Sequence, residues 1–189
     1  MCEYKVVMSY GDQEQEQMFT ILPDPRSESS MADLQAQFDF VQSVNGKVTE
    51  AHDAIIEIRE VREQLNSIKE RMDGDEENQP IIDKANEIDS VMTEVEKTLY
   101  QTKNRSGQDP LNFPIRLTNK LAHLNALSNQ GNFGPTKQAV EVRDEMTQRI
   151  DTELTKYYNL KSTDIPELNR MVRESSMEAI MIDKKEGVN

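Results

Sequence analysis

The side chains able to carry catalysis or hold a metal are few and poorly spaced. Two histidines, His52 and His123, and one cysteine, Cys2, are the only imidazole and thiol side chains in the 189 residues. A carboxylate-bridged bundle site needs Glu-x-x-His on two helices, but Thr49 stands three residues before His52 and Lys120 three before His123. No His-x₃-His or Cys-x₂-Cys zinc spacing exists. Both histidines lie beside apolar stripes (His52 within Val48–Ile55, His123 between Leu121 and Leu124), which reads as boundary positions and not as ligands or bases. Cys2 has no histidine near it in sequence to raise its thiolate fraction, and one cysteine excludes an internal disulfide framework. Gly131-Asn132-Phe133-Gly134 has neither a preceding strand pattern nor a following Lys-Ser/Thr, so it is not a phosphate loop.

Carboxylates are abundant, and glycoside hydrolysis requires two of them facing one cleft. A surplus on helix surfaces is ordinarily a solvated face. Asp73, Asp75, Glu76 and Glu77 read as a helix end and turn, with weak cation binding as the lesser reading. The series Glu57, Arg59, Glu60, Arg62, Glu63, Lys69, Glu70 and Arg71 reads as a solvated side with i,i+4 pairing, a partner groove being the minority reading. Asn104-Arg105-Ser106 matches a glycosylation sequon, meaningful only in a eukaryotic secretory pathway. From the residues no catalytic, cofactor-binding or metal position is assigned, and no cofactor is expected.

Composition narrows the class. Twenty-two basic against 35 acidic residues give a formal charge of −13. The two signs alternate along the chain, so no segregated basic surface offsets repulsion from nucleic-acid phosphates. Hydrophobic residues are 35%, Trp is absent, and there are only seven Gly and seven Pro, which favours long periodic helices over a turn-rich β fold. No apolar run approaches the roughly 20 residues of a membrane span.

The elements that must position these residues follow from periodicity. Tyr4–Tyr10 is rich in β-formers and ends at Gly11-Asp12; Met18–Leu22 follows, so the pair predicts a hairpin. Two strands alone are marginal in water. Either the hairpin packs on the helices behind it, or it is the end of a sheet whose other strands lie elsewhere. Residues 1–5 lack the basic start and apolar core of a secretory leader, and no apolar segment precedes Cys2 to support lipidation.

Pro23 and Pro25 end the β pattern, and Ser27, Ser29 and Ser30 offer N-cap oxygens, with Asp33 three residues past Ser30. Met31, Leu34, Phe38, Val41, Val44, Val48, Ala51, Ile55, Ile58, Val61, Leu65, Ile68 and Met72 then recur every three or four residues, predicting one long helix with a coiled-coil-like stripe. Gly46 is a candidate bend, and Asp73-Gly74-Asp75 a stop. Pro80 opens a second helix carrying Ile81, Ala85, Ile88, Met92, Val95 and Leu99. Residues 103–114 form a loop, then a shorter helix carries Leu117, Leu121, Leu124 and Leu127. Residues 129–135 form another loop, and a fourth helix carries Ala139, Val142, Met146, Ile150, Leu154 and Tyr157. Asp164 and Glu167 have capping-box spacing before a short last helix with Leu168 and Val172. Phe113 and Phe133 are expected to tuck into the bundle end.

The expected fold is therefore mainly α: an antiparallel helical bundle with one long spine helix, preceded by a short β-hairpin. The expected organisation is a hairpin over 1–26 (on the resemblance below, a remnant of a β-sandwich segment), a bundle over 27–176 and an extended or frayed tail over 177–189.

Several segments together resemble a known family. They are Asp24-Pro25-Arg26, residues 32–38 (ADLQAQF), residues 58–65 (IREVREQL), residues 109–117 (DPLNFPIRL), Pro135-Thr136 and Leu168-Asn169. They resemble the carboxy-terminal helical region of large bacterial exported proteins with BNR/sortilin-type β-propellers, labelled glycosyl-hydrolase-like, over roughly residues 4–182. The resemblance implies that the hairpin is the last part of a β-sandwich-like segment, and that a propeller, where any carbohydrate-directed activity would sit, is absent from this chain. It implies a propeller or separately encoded partner and an exported or periplasmic setting for the parent proteins. The chain departs from the pattern by starting within a strand, and by Met177-Glu178-Ala179 standing where a Pro-containing turn is expected. No catalytic residue carries over, because none of these segments belongs to a catalytic site. The leading expectation is a non-catalytic structural or interaction module. The alternatives are an accessory part of a glycan-acting hydrolase, or a free-standing coiled-coil-like homo-oligomer.

Overall fold

The computed structural model describes residues 3–128 and 131–175. Cys2, the side chain of Leu127 and the expected tail over 177–189 lie outside the described residues. Strands β1 (Glu3–Tyr10) and β2 (Gln13–Thr20) pair antiparallel, with Tyr10 opposite Gln13 and Tyr4 opposite Phe19. The two-residue turn needs a positive φ, and Gly11 supplies it at +57°. Asp24 then organises the link to the helices: its backbone carbonyl accepts from Ser27 N–H at 2.9 Å and its carboxylate binds the Arg26 guanidinium at 2.8 Å.

Helix α1 (Met31–Met72) begins with the expected capping box. Ser30 Oγ accepts from the Asp33 N–H, and the Asp33 carboxylate accepts from the Ser30 N–H at 2.9 Å. The helix runs without interruption through Gly46 and stops at Asp73, followed by Gly74 at φ +90°. Helix α2 (Gln79–Leu99) starts with Pro80 in its first turn and buries all six predicted positions from Ile81 to Leu99. Helices α3 (Leu117–Ala122) and α4 (Leu124–Ser128) follow, then α5 (Lys137–Ser162) and α6 (Asp164–Glu174).

These six helices make three rods laid up, down and up. Arg62 reaches Glu96 and Asp89, and Lys69 approaches Asp89, so α2 runs antiparallel to α1. Asn125 meets Asn45 at 2.7 Å and the Gly131 carbonyl accepts from Gln37, so α3 and α4 continue that direction along the amino-terminal half of α1. Helix α5 then returns parallel to α1: Arg143 bonds Ser43, Lys47 bonds Asp151, and Lys161 pairs with Glu57. At 1.5 Å per residue, the 42-residue α1 spans roughly 63 Å, long enough to back the two shorter rods. Tyr157, Phe40, Ile58, Leu121, Ile150 and Leu154 fill the space between them.

Four expectations need correction. Along α1 the stripe holds from Val44 to Met72, but Met31 is exposed and Phe38 is 58% exposed, while Phe40 is buried. A straight helix drifts about 20° per heptad against a 3.5-residue repeat, so a stripe aligned on the middle of α1 has left the core by its first turns. On α5, Met146, Ile150 and Leu154 recur every fourth residue, which overshoots a 3.6-residue turn, so Val142 at the head of that row has rotated out of the core and is exposed; the Arg143 guanidinium lies 5.3 Å over the Phe40 ring in its neighbourhood. The expected single leucine helix is split at His123, whose Nδ1 turns back to the Asn119 carbonyl at 2.8 Å. Leu117, Leu121 and Leu124 are nonetheless all buried. Finally, Asp164 and Glu167 form no capping box: Thr163 occupies the N-cap position without a side-chain cap bond, and both carboxylates turn to Lys84 of α2, at 2.6 and 3.3 Å.

Candidate interaction surface

The hairpin is where the fold leaves side chains unused. Every residue of β1 and β2 is exposed, and one face carries no charge. Directly opposed residues share a face, so Tyr4, Val6, Met8 and Tyr10 lie on one side with Phe19, Gln17, Gln15 and Gln13. Tyr4 and Phe19 stack with ring centroids 5.7 Å apart, and Tyr10 at the turn end is 85% exposed. The opposite face is charged: Lys5 bonds Glu16 at 2.8 Å, and Glu14 accepts from the Ser9 hydroxyl. Ile21 and Leu22 extend the exposed apolar surface past β2.

The alternating charges of α1 do something other than face water. Glu96 of α2 is 5% exposed and receives Arg59 at 2.7 Å and Arg62 at 2.8 Å. Arg62 also bonds Asp89 and the Thr93 hydroxyl. Burial pushes the Glu96 carboxyl up, but Arg62 and Arg59 outweigh it and hold the group below its ordinary value. For Arg62, burial opposes the charge and the two carboxylates overcome it. This is a polar seam joining α1 to α2, so the expectation of a solvated side fails for Arg62, while Arg59 stays exposed at the rim of the seam. Glu60, Glu63 and Glu70 do face solvent. Lys84 closes a second such junction, where the bond it donates to the Asp164 carboxylate raises its pKa. Sequence spacing within one helix gives no sign of either junction, because the partners come from another helix.

Two grooves flank α1. Between α1 and α5, Glu50, Asp53, Glu57, Tyr158 and Lys161 line an open groove of about 500 Å³. Its charges are mostly spent inside the chain: Lys47 holds Glu50 and Asp151 at 2.6 Å, and Lys161 holds Glu57. Nearby, the enclosed Tyr157 hydroxyl has no partner at hydrogen-bonding geometry; burial, with Glu57 close by, pushes its pKa up. On the other side, His52, Ile55, Ile56, Arg59 and Tyr100 line a smaller groove of about 210 Å³. His52 meets Tyr100 edge-on at 6.0 Å and Arg59 lies over the same ring. Both histidines are exposed.

The two loops divide. Asp109 ties the first one down, accepting from the backbone N–H groups of Arg105 and Ser106 and from the Ser106 hydroxyl. Those bonds hold its carboxyl below the usual range. Phe113 is half-buried under Lys103. Phe133 is 67% exposed, contrary to expectation; its loop docks on α1 through backbone instead, at the Gly131 carbonyl and at Gly134, where an added Cβ would lie 3.5 Å from the Asp33 carboxylate. Asp75 caps a 3₁₀ turn by accepting from the Glu77 N–H at 3.0 Å. Among the described residues, no group of three or more His, Cys, Asp and Glu is placed to hold a metal, and no helix is long and apolar enough to cross a membrane. Comparison with protein-family models, with curated proteins and with solved structures returned no match for the chain.

Proposed function

We propose that this chain is a non-catalytic interaction module, in which a rigid three-rod bundle carries a hairpin that completes a sheet with a partner strand. The observation that supports it most is the charge-free hairpin face with two open strand edges, beside a bundle that buries its apolar stripes apart from Met31, Phe38 and Val142. Open edges are ready templates for β-pairing. In the setting that the sequence resemblance suggests, the partner would be β-structure of a propeller-bearing protein, encoded with this chain or apart from it. The self-associating coiled-coil alternative is less well supported, since α1 spends its stripe on α2, α3 and α5.

Hydrogen exchange on the dilute chain tests this reading. Amides of residues 4–10 are expected to exchange fastest among the regular elements and those of α2 slowest; strong protection of 4–10 at high dilution would count against a missing partner strand. A panel of aryl glycosides addresses the hydrolase alternative, and turnover by the purified chain would overturn the non-catalytic reading.

A further inference from the structure

The hairpin has two free edges, and they differ in charge. β1 carries one acid and one base, Glu3 and Lys5, while β2 carries Glu14 and Glu16 with no base. Resting on the interaction-module reading, we infer that the free β1 edge is filled by a second copy of this chain, paired antiparallel β1 to β1. In a pairing centred on Val6, Glu3 faces Ser9, Tyr4 faces Met8 and Lys5 faces Val7 of the other copy. Centred on Val7, Tyr4 faces Tyr10, Lys5 faces Ser9 and Val6 faces Met8. Neither register opposes like charges, which would be destabilising. Of the equivalent β2 pairings, the one centred on Glu16 sets a glutamate directly against a glutamate, and the one centred on Gln17 gathers four glutamates on adjoining strands with no base among them.

Both β1 registers keep even-numbered residues opposite even-numbered ones, so the two charge-free faces join into one. A marginal two-stranded ribbon becomes a four-stranded sheet with a shared charge-free face, apolar along its two central strands. The assembly closes at two copies by a two-fold axis, because its outer strands are then both β2, whose glutamates discourage a third copy and leave that edge to a partner strand of other charge. Each chain carries −13, so the long-range repulsion that opposes pairing weakens as salt screens it.

The test is sedimentation or light scattering of the full chain across a concentration series, in low and in moderate salt. The expected mass rises twofold from 21.7 kDa, at lower concentration in the higher salt. In a two-residue hairpin the closing pair bonds inward, so alternation turns the N–H groups of Val7 and Glu16 outward on opposite edges. Val7→Pro is therefore expected to hold the chain at single mass and Glu16→Pro to leave the doubling intact, with the helical circular dichroism unchanged in both. Lys5→Glu serves as a second variant that keeps every N–H, and it is expected to weaken doubling by placing two acids on each β1. A wild-type chain that stays at single mass throughout overturns the second copy as occupant. A doubled mass that survives Val7→Pro, or that Glu16→Pro abolishes, overturns the β1 edge. Neither result touches the interaction-module reading, which falls separately, on glycoside turnover or on a hairpin protected at high dilution.

Discussion

The hairpin and the bundle are built from residues of similar apolar character, yet only one of them buries anything. Tyr4, Val6, Met8 and Phe19 share one face of the hairpin, and all are exposed. Ile81, Ala85, Ile88, Met92, Val95 and Leu99 recur at helical spacing, and all are buried. The difference is the number of partners. A helix stripe in this chain finds two other rods, while each strand finds one neighbour and no opposing layer. A hydrophobic pattern thus states a capacity for burial, and the rest of the chain decides whether that capacity is used.

The sharpest way to break the contrast is to empty the bundle. Leu121 is fully buried, and Leu121→Ala is expected to lower unfolding free energy by about 2–5 kcal/mol in denaturant titration. The matching hairpin change, Met8→Ala, is the opposite limit and is expected to move it by less than about 0.5 kcal/mol. An equal loss at the two sites would mean that the hairpin is packed in solution.

The polar seam comes next in size. Glu96→Gln removes a charge that two guanidinium groups share and is expected to cost about 1.5–3 kcal/mol, measured at neutral pH. The pH dependence has a definite sign. The folded carboxyl sits below its ordinary value of 4.5, so its contribution is full above that value and is lost as pH falls through the lowered one. Wild type and Glu96→Gln should therefore converge in stability as the solution is acidified, and a constant difference down to the acid transition would remove the seam from the account.

Gly46 gives the smaller effect in the bundle, with the sign reversed. It lies inside the continuous α1, and an added Cβ would meet nothing within 4 Å. Gly46→Ala is expected to stabilise by about 0.5–1 kcal/mol, read as a higher melting temperature. Destabilisation would mean that α1 needs the glycine for a bend.

Local signals were legible in the residues wherever the physics is local. The capping box at Ser30, the turn at Gly11, the stop at Gly74 and the heptad of α2 each depend on neighbours within one turn or one hairpin, and each appears where the spacing puts it. Phe38, Val142 and Phe133 were misread because burial depends on which way a helix or loop faces a second element. The pairs Arg62–Glu96 and Lys84–Asp164 were invisible for a related reason: their members lie 34 and 80 residues apart. The candidate surface was half legible. The run of β-formers and the turn mark the hairpin, while its charge-free side follows from the strand register and the exposure of both faces from the assembled fold.

By itself, then, the sequence determined that the chain is mainly helical, where its long helices begin and end, and that a hairpin precedes them, because capping, turn geometry and periodicity act over a few residues. Only the tertiary structure decided the up-down-up order of three rods, the conversion of a charged helix side into an interhelical seam and the stranding of the hairpin. Those outcomes depend on which surfaces meet across tens of residues, and a pattern along the chain does not record the rotation of one helix about its axis relative to the next.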